Sequence, residues 1–374
     1  MNIALLFIRQ LEREREPLYS GYNLGTPNAM HTQSAPSHLS LQHPNQLIDS
    51  FGRNINYVRL SVTDRCDLRC VYCMAEDMTF LPRSQVLSIE ELSLLGKTLC
   101  NLGVTKLRIT GGEPLIRGGI IQLMKNLRQI PQLQELCLTT NGTQLERYSH
   151  ALKDAGVDRI NISLDTLNAA NFRELTRVGD IEQVLKGIKA AQTAGFQRLK
   201  LNCVALKHYN ADEAADLVAF ALNEGLDISF IEEMPLGKIN HHGRHLEFIS
   251  SAALREKIAV RFQLYPSTHN INTDGPARYW QVNGYNSRIG FISPHSENFC
   301  GSCNRVRVTA TGRLILCLGQ ENSADLRTAM RDYENPEEQL RQTLLNAITH
   351  KPEKHDFTLN DEPQILRFMS MTGG

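Results

Sequence analysis

Val58-Arg59-Leu60-Ser61-Val62-Thr63-Asp64-Arg65-Cys66-Asp67-Leu68-Arg69-Cys70-Val71-Tyr72-Cys73 is a short β-branched run that leads directly into three closely spaced cysteines. Barrel enzymes place their chemistry on loops at the C-terminal ends of strands, and the same rhythm repeats downstream. Strands are predicted over Val58–Val62, Lys106–Thr110, Glu135–Thr139, Arg159–Ser163, Leu199–Ala205 and Ile228–Glu232. Helices are predicted between them over Ser88–Leu102, Ile120–Leu127, Glu146–Ala155, Ile181–Ala194 and Ala211–Asn223. Several end at or just before a glycine (Gly103, Gly156, Gly195, Gly225), the residue type expected just past a helix. Strand, helix, strand at this spacing builds parallel β/α units. Six strands rather than eight predict an α/β fold that is an incomplete (β/α)6 TIM-like barrel, open on one side; a full barrel is the alternative.

The bulk composition sets limits. With 40 basic against 40 acidic residues the formal charge is zero, so nothing favours bulk attraction to nucleic acid or membrane, and any anion site must be built locally. No apolar run approaches the ~20 residues of a membrane helix. The apolar start, Met1 to Ile8, precedes the charged stretch Arg9 to Glu16, the reverse of a signal peptide. We expect a cytoplasmic protein, where nine cysteines, an odd number, point to metal or redox chemistry rather than disulfides. Ser, His, Pro, Gln and Asn dominate from Tyr19 to Gln46, and residues 1–50 are expected to be a disordered leader. A later start at Met30 is the alternative, which mass spectrometry of the native N-terminus decides. The barrel is expected over 51–235. After Pro235 a polar loop carries His241, His242, Gly243 and His245, expected to be solvated rather than metal-binding. A helix over Ser250–Ala259, strands near Arg278–Val282, Ser287–Ile292 and Val306–Thr309, and helices near Ala324–Arg331 and Glu337–Thr349 follow. Residues 236–374 are expected to be an α+β extension covering the open side.

Three thiolates on one loop suit a four-iron cluster and leave one iron open to chelate an amino and a carboxylate group. A structural zinc knuckle with a missing or histidine fourth ligand is the alternative. Gly111-Gly112-Glu113-Pro114 ends the second strand, and its glycines would let backbone approach a ligand. Thr139-Thr140-Asn141-Gly142, Ser163-Leu164-Asp165 and Glu232-Glu233-Met234-Pro235 end the third, fourth and sixth strands. Each alone would be a turn or a cap; their shared edge favours a site. Cys300-Gly301-Ser302-Cys303 and Cys317 form a second trio, read as another open cluster, with half a zinc ribbon completed by His295 as the alternative. Cys100, Cys137 and Cys203 sit alone and are expected to be small core residues.

The first cysteine motif followed by Gly-Gly-Glu-Pro resembles the radical S-adenosylmethionine superfamily. The second trio, with Phe299-Cys300-Gly301-Ser302-Cys303-Asn304-Arg305-Val306-Arg307 and the terminal Met371-Thr372-Gly373-Gly374, resembles the GTP 3′,8-cyclases that begin molybdenum cofactor biosynthesis, from about Tyr57 to Gly374. Ala75 departs from the proline more usual in that family, and the leader has no counterpart. The resemblance implies two [4Fe-4S] clusters, on Cys66, Cys70 and Cys73 and on Cys300, Cys303 and Cys317. It implies S-adenosylmethionine contacts from Tyr72, Gly112, Ser163 and Met234. It implies GTP contacts from Arg59, Arg108, Thr139, Lys200, Arg305, Val306 and Arg307. Arginines suit a triphosphate, and Arg305 and Arg307 alternate on a strand and so share a face. The implied reaction cleaves S-adenosylmethionine to a 5′-deoxyadenosyl radical, takes the ribose 3′ hydrogen of GTP and joins C3′ to C8. Gly373 and Gly374 would insert toward the site. Flavodoxin or ferredoxin as electron donor and a homodimer are implied too. Two other functions fit parts of the pattern: a peptide-modifying radical enzyme with an auxiliary cluster, and a zinc-bound scaffold whose Gly-Gly tail is activated by a ligase.

Overall fold

All six expected barrel strands form, each within a residue or so of its predicted span. The computed structural model describes residues 46–237, 243–267, 275–358 and 365–373. The strands are β1 (Tyr57–Ser61), β2 (Lys106–Thr110), β3 (Glu135–Thr140), β4 (Arg159–Ser163), β5 (Leu199–Ala205) and β6 (Asp227–Glu232). Between them lie α1 (Ile89–Asn101), α2 (Ile120–Arg128), α3 (Leu145–Asp154), α4 (Ala169–Thr176), α5 (Ile181–Thr193) and α6 (Ala214–Asn223). Helix starts follow local chemistry. Ser88 and Glu91 form a reciprocal capping box on α1, while Asn168 and Asp180 cap α4 and α5. Neighbouring strands are parallel from β1 through β6.

The alternation within each strand decides what faces the site. Val58, Leu60, Leu107, Ile109, Leu136, Leu138, Ile160 and Ile162 are fully buried in the apolar core. The intervening Tyr57, Arg59, Lys106, Arg108, Thr139, Arg159, Asn161 and Ser163 line the barrel interior. Lys-Leu-Arg-Ile-Thr in β2 is thus buried on both faces, one apolar and one polar.

The C-terminal part contributes α7 (Arg244–Glu247), α8 (Ser251–Ala259), β7 (Tyr265–Pro266), β8 (Arg278–Gln281), β9 (Arg288–Ile292), β10 (Arg305–Val308), β11 (Arg313–Ile315), β12 (Ser323–Asp325), α9 (Leu326–Arg331), α10 (Pro336–Ile348) and α11 (Met369–Thr372). It joins the barrel sheet and also lines the cavity, through Phe299, Leu316 and Lys351 among others. β10 pairs parallel with β1 and β9 pairs parallel with β6, giving one twelve-stranded sheet ordered β12-β11-β10-β1-β2-β3-β4-β5-β6-β9-β8-β7. An incomplete barrel has two raw edges whose N–H and C=O groups need partners, and the extension supplies one strand to each. Residues 45–374 cluster as one compact unit.

The described structure includes residues before 51 that belong to the fold. Leu47, an apolar residue in a polar stretch, is fully buried, and its carbonyl accepts from the Ile55 amide at 2.8 Å. Residues 1–45 of the expected leader, His241, His242 and Gly374 lie outside the described residues; His245 is exposed. Arg53 pairs with Asp49 at 2.5 Å and donates to the carbonyls of Cys300 (2.9 Å), Glu353 (2.7 Å) and Pro352 (2.6 Å). This buried guanidinium ties the start of the fold to the second cysteine turn. Arg53→Met strands the Asp49 carboxylate, and we expect it to lower resistance to urea by about 3 kcal/mol; wild-type unfolding would refute this.

Candidate active site

Cys66, Cys70 and Cys73 sit on the loop after β1, held from three sides. The amides of Gly112 and Glu113 donate to the carbonyls of Thr63 and Arg65, both at 2.8 Å. The amides of Arg69 and Val71 donate to Thr176 (3.0 Å) and Leu175 (2.9 Å) at the end of α4. Asp67 accepts from the side chains of Asn141 and Thr143, both at 2.7 Å. The Glu113 carboxylate is fully buried and accepts from Leu115 N (2.9 Å), Thr140 Oγ1 (2.8 Å) and Asn141 N (2.7 Å). Burial pushes it up to about 8 despite those bonds. Gly-Gly-Glu-Pro and Thr-Thr-Asn-Gly thus interlock around the cysteine loop. The glycines are needed for that packing as well as for any ligand: a Cβ on Gly112 would collide with the Arg65 carbonyl, and one on Gly111 would lie 2.8 Å from that of Thr63.

Burial raises all three thiols, Cys73 to about 12. Three half-buried thiols raised in this way become thiolates together beside a strong positive centre, which is what iron supplies. All nine cysteines are free. Among the described residues, no three His, Cys, Asp or Glu side chains converge tightly enough to hold a single metal ion. Between Cys70 and Cys73, Tyr72 donates its hydroxyl to Asp165 at 2.6 Å, and Asp165 also accepts the Val204 amide at 2.8 Å.

Cys300, Cys303 and Cys317 flank β10 and open onto the same cavity as the first trio. Burial raises the Cys317 thiol. Burial pushes Cys303 up too, but Arg305 and Lys351 outweigh it and the thiol ends below its ordinary value. Lys351 is 3% exposed and donates to the Leu316 carbonyl at 2.8 Å and to Cys303 Sγ at 3.6 Å. A buried ammonium against sulfur suits an anionic cluster.

The strand register turns scattered cations into two rows. Arg305, Tyr57 and Lys106 lie side by side on β10, β1 and β2, and Arg307, Arg59 and Arg108 form the next row. Arg108 donates to Tyr57 Oη at 2.7 Å and to Thr139 Oγ1 at 3.4 Å. Lys200 faces them from β5, donating to Tyr279 Oη at 3.1 Å. Val306 differs from its neighbours, because its side chain is in the apolar core and only its backbone is left for a ligand. The tail enters here. Arg59 donates to the Gly373 carbonyl at 2.7 Å, and Arg307 reaches the carbonyls of Gly373 (3.3 Å) and Thr372 (3.4 Å). Burial, followed by Arg59 and Arg305, pushes Arg307 well down. Cations so placed call for an anion.

Residues 60–221 match the Radical SAM superfamily model, and residues 226–357 match Molybdenum Cofactor Synthesis C. The GTP 3′,8-cyclase of Saccharophagus degradans is 60% identical over 328 residues, covering 88% of this chain and 98% of that protein. The chain belongs to the GTP 3′,8-cyclase family. A second member, from Pseudomonas fluorescens, is 54% identical over 329 residues, with 88% and 98% covered. Streptococcus suis SuiB bound to S-adenosylmethionine shares the fold, with a TM-score of 0.58 at 15% identity, covering 85% of this chain and 78% of that one.

Within this family member the cavity gathers Cys66, Cys70, Cys73, Tyr72, Gly112, Ser163, Met234, Arg59, Arg108, Thr139, Lys200, Arg305, Val306, Arg307, Cys300, Cys303 and Cys317. Other residues there escaped sequence reasoning. Tyr57, Asn161 and Asn202 were legible by parity, each two residues from a predicted site residue on the same strand. Asp165 lay inside a quoted motif without a role. Lys351 gave no signal, since a lysine after a helix is ordinarily solvated. Cys100 and Cys203 are in the apolar core as expected. Cys137 is buried but lies in register with Arg108 and Arg159, on the polar inner face.

Proposed function

We propose that this chain converts GTP to (8S)-3′,8-cyclo-7,8-dihydroguanosine 5′-triphosphate, with release of 5′-deoxyadenosine and methionine, the first step of molybdenum cofactor biosynthesis. One observation carries this: two cysteine trios and two rows of cations share one cavity. A peptide substrate gives no reason for those cations. Bound there, a first [4Fe-4S] cluster with S-adenosylmethionine supplies the 5′-deoxyadenosyl radical, and a second [4Fe-4S] cluster supplies an open iron for the guanine.

The chain's own residues bind, orient and exclude water. Cys66, Cys70 and Cys73 hold the first cluster. Tyr72, the backbone of Gly112, Ser163 and Met234 hold S-adenosylmethionine, with Asp165 fixing the tyrosine. Arg59, Arg108, Lys200, Arg305 and Arg307, the Thr139 hydroxyl and the Val306 backbone receive the triphosphate. Cys300, Cys303 and Cys317 hold the second cluster and so the base. Reduced flavodoxin or ferredoxin as donor, a homodimer and a cytoplasmic location belong to the same proposal; among the described residues no helix is long and apolar enough to cross a membrane.

Anaerobic incubation of the iron-loaded protein with GTP, S-adenosylmethionine and dithionite should give 5′-deoxyadenosine only when GTP is present, with roughly eight irons per chain. GTP-independent cleavage with both clusters intact favours a peptide-modifying enzyme, and zinc alone ends the proposal.

Tyr57 adds a pH signature. Burial alone would raise its phenol, but Arg108, Arg59 and Lys106 outweigh it and bring it down to about 7 from 10.0. The phenolate so formed competes with triphosphate for the same cations. Binding GTP must therefore drive a proton onto Tyr57, and affinity should fall as pH rises above about 7. Equilibrium binding from pH 6 to 9 checks this; Tyr57→Phe should flatten the fall, and an unchanged slope would refute the coupling.

A further inference from the structure

β4 and β5 carry two carboxamides into the cavity, Asn161 and Asn202. Asn161 lies one pleat before Ser163 and pairs in register with Lys200; Asn202 lies one pleat after Lys200 and pairs with Ser163. Asn161 is 7% exposed. The Oδ1 atoms of both are buried and have no hydrogen-bond partner among the described residues. Leaving a buried acceptor unpaired is costly. Other polar groups around the cavity are well served, Glu113 accepting three bonds, Asp165 two and Arg108 donating to three oxygens, whereas the Ser229 hydroxyl, in register with Asn202, is buried without a hydrogen-bond partner among the described residues as well. Two carboxamides set diagonally across β4 and β5, each with an unserved oxygen, therefore mark a subsite for something that donates to Oδ1 and can accept from Nδ2.

We infer that Asn161 and Asn202 hold the ribose hydroxyls of the nucleotide. This rests on the functional reading above and assigns the part of the substrate that reading leaves without a protein partner. Phosphate oxygens only accept, so they would be repelled by carboxamide oxygens and are matched instead by the cations. The base falls to the second trio, carried beside β10 on the far side of β1 and β2. A ribose hydroxyl donates to Oδ1 and accepts from Nδ2. Along β4 and β5 the two asparagines bridge the step from Lys200, at the triphosphate, to Ser163, at S-adenosylmethionine. The hydrogen removed is on C3′, so the sugar must lie in that step. Gripping its hydroxyls aims C3′ and makes the site reject deoxynucleotides, because an analogue lacking a hydroxyl leaves a buried acceptor unpaired.

The test is equilibrium binding of GTP, 2′-deoxy-GTP and 3′-deoxy-GTP to the anaerobic two-cluster protein, without reductant. Wild type should bind at least one deoxy analogue roughly tenfold more weakly than GTP. Asn161→Leu and, separately, Asn202→Ala should weaken GTP to that level while leaving the analogue's binding unchanged. Iron content confirms that each variant is folded and loaded. Equal weakening of all three nucleotides, or no change in any, overturns the inference while leaving the functional reading intact. Failure of the loaded wild type to bind GTP at all overturns both.

Discussion

Gly112→Val should cost the protein its first cluster: iron falls from roughly eight to roughly four per chain, and GTP-dependent 5′-deoxyadenosine formation drops at least about a hundredfold. The cause is local. Gly112 sits where the loop after β2 crosses the cysteine loop, and any Cβ there meets the carbonyls of Arg65 and Asp64. Those atoms are backbone, so no rotamer change relieves the clash. Either the Gly112 amide releases the Thr63 carbonyl, or the loop bearing Cys66 moves away. Both outcomes misplace the thiolates. Gly118, with nothing within 4 Å of its would-be Cβ, is the control, and Gly118→Ala should keep iron and activity. Full iron content and activity in Gly112→Val would refute the interlocking described above.

Deleting Gly373 and Gly374 should abolish cyclisation, by about a hundredfold or more, with both clusters still assembled. The tail's contribution is backbone. Its carbonyls accept from Arg59 and Arg307, and Ser370 and Thr372 are fully buried on the way in. Gly373 adopts φ +83°, and a Cβ there would collide with Thr110 Oγ1, so substitution should be harmful as well. The Ser370 backbone, which hydrogen-bonds Cys73, stays in place when only the last two residues are removed, which is why iron should be retained. Measured product formation and iron content decide it. A fully active truncated protein would show that the arginines need no help from the tail.

How much of this was legible in the sequence follows from the range of each interaction. Period-two alternation and β-branched residues fixed β1 to β6, and the cysteine spacing marked both trios, because those signals lie within a few residues. Partner choice does not. Arg305-Val306-Arg307 reads as a strand anywhere, and nothing near it says that Tyr57 and Arg59 will be its neighbours. The cation rows were therefore visible only as single arginines. Val306 was a site residue by resemblance alone, yet parity sends its side chain to the core. Tyr57 reads as an aromatic strand former, and only the surrounding cations make its phenol acidic.

The pairing of β1 with β10 has a consequence for synthesis. Tyr57 emerges from the ribosome well before its partner Arg305, 248 residues downstream. Until then the nascent barrel carries an unmatched edge of the kind that other chains can join. Cys66, Cys70 and Cys73 are by then already translated. Growth conditions that slow translation should therefore raise the aggregated fraction of this protein.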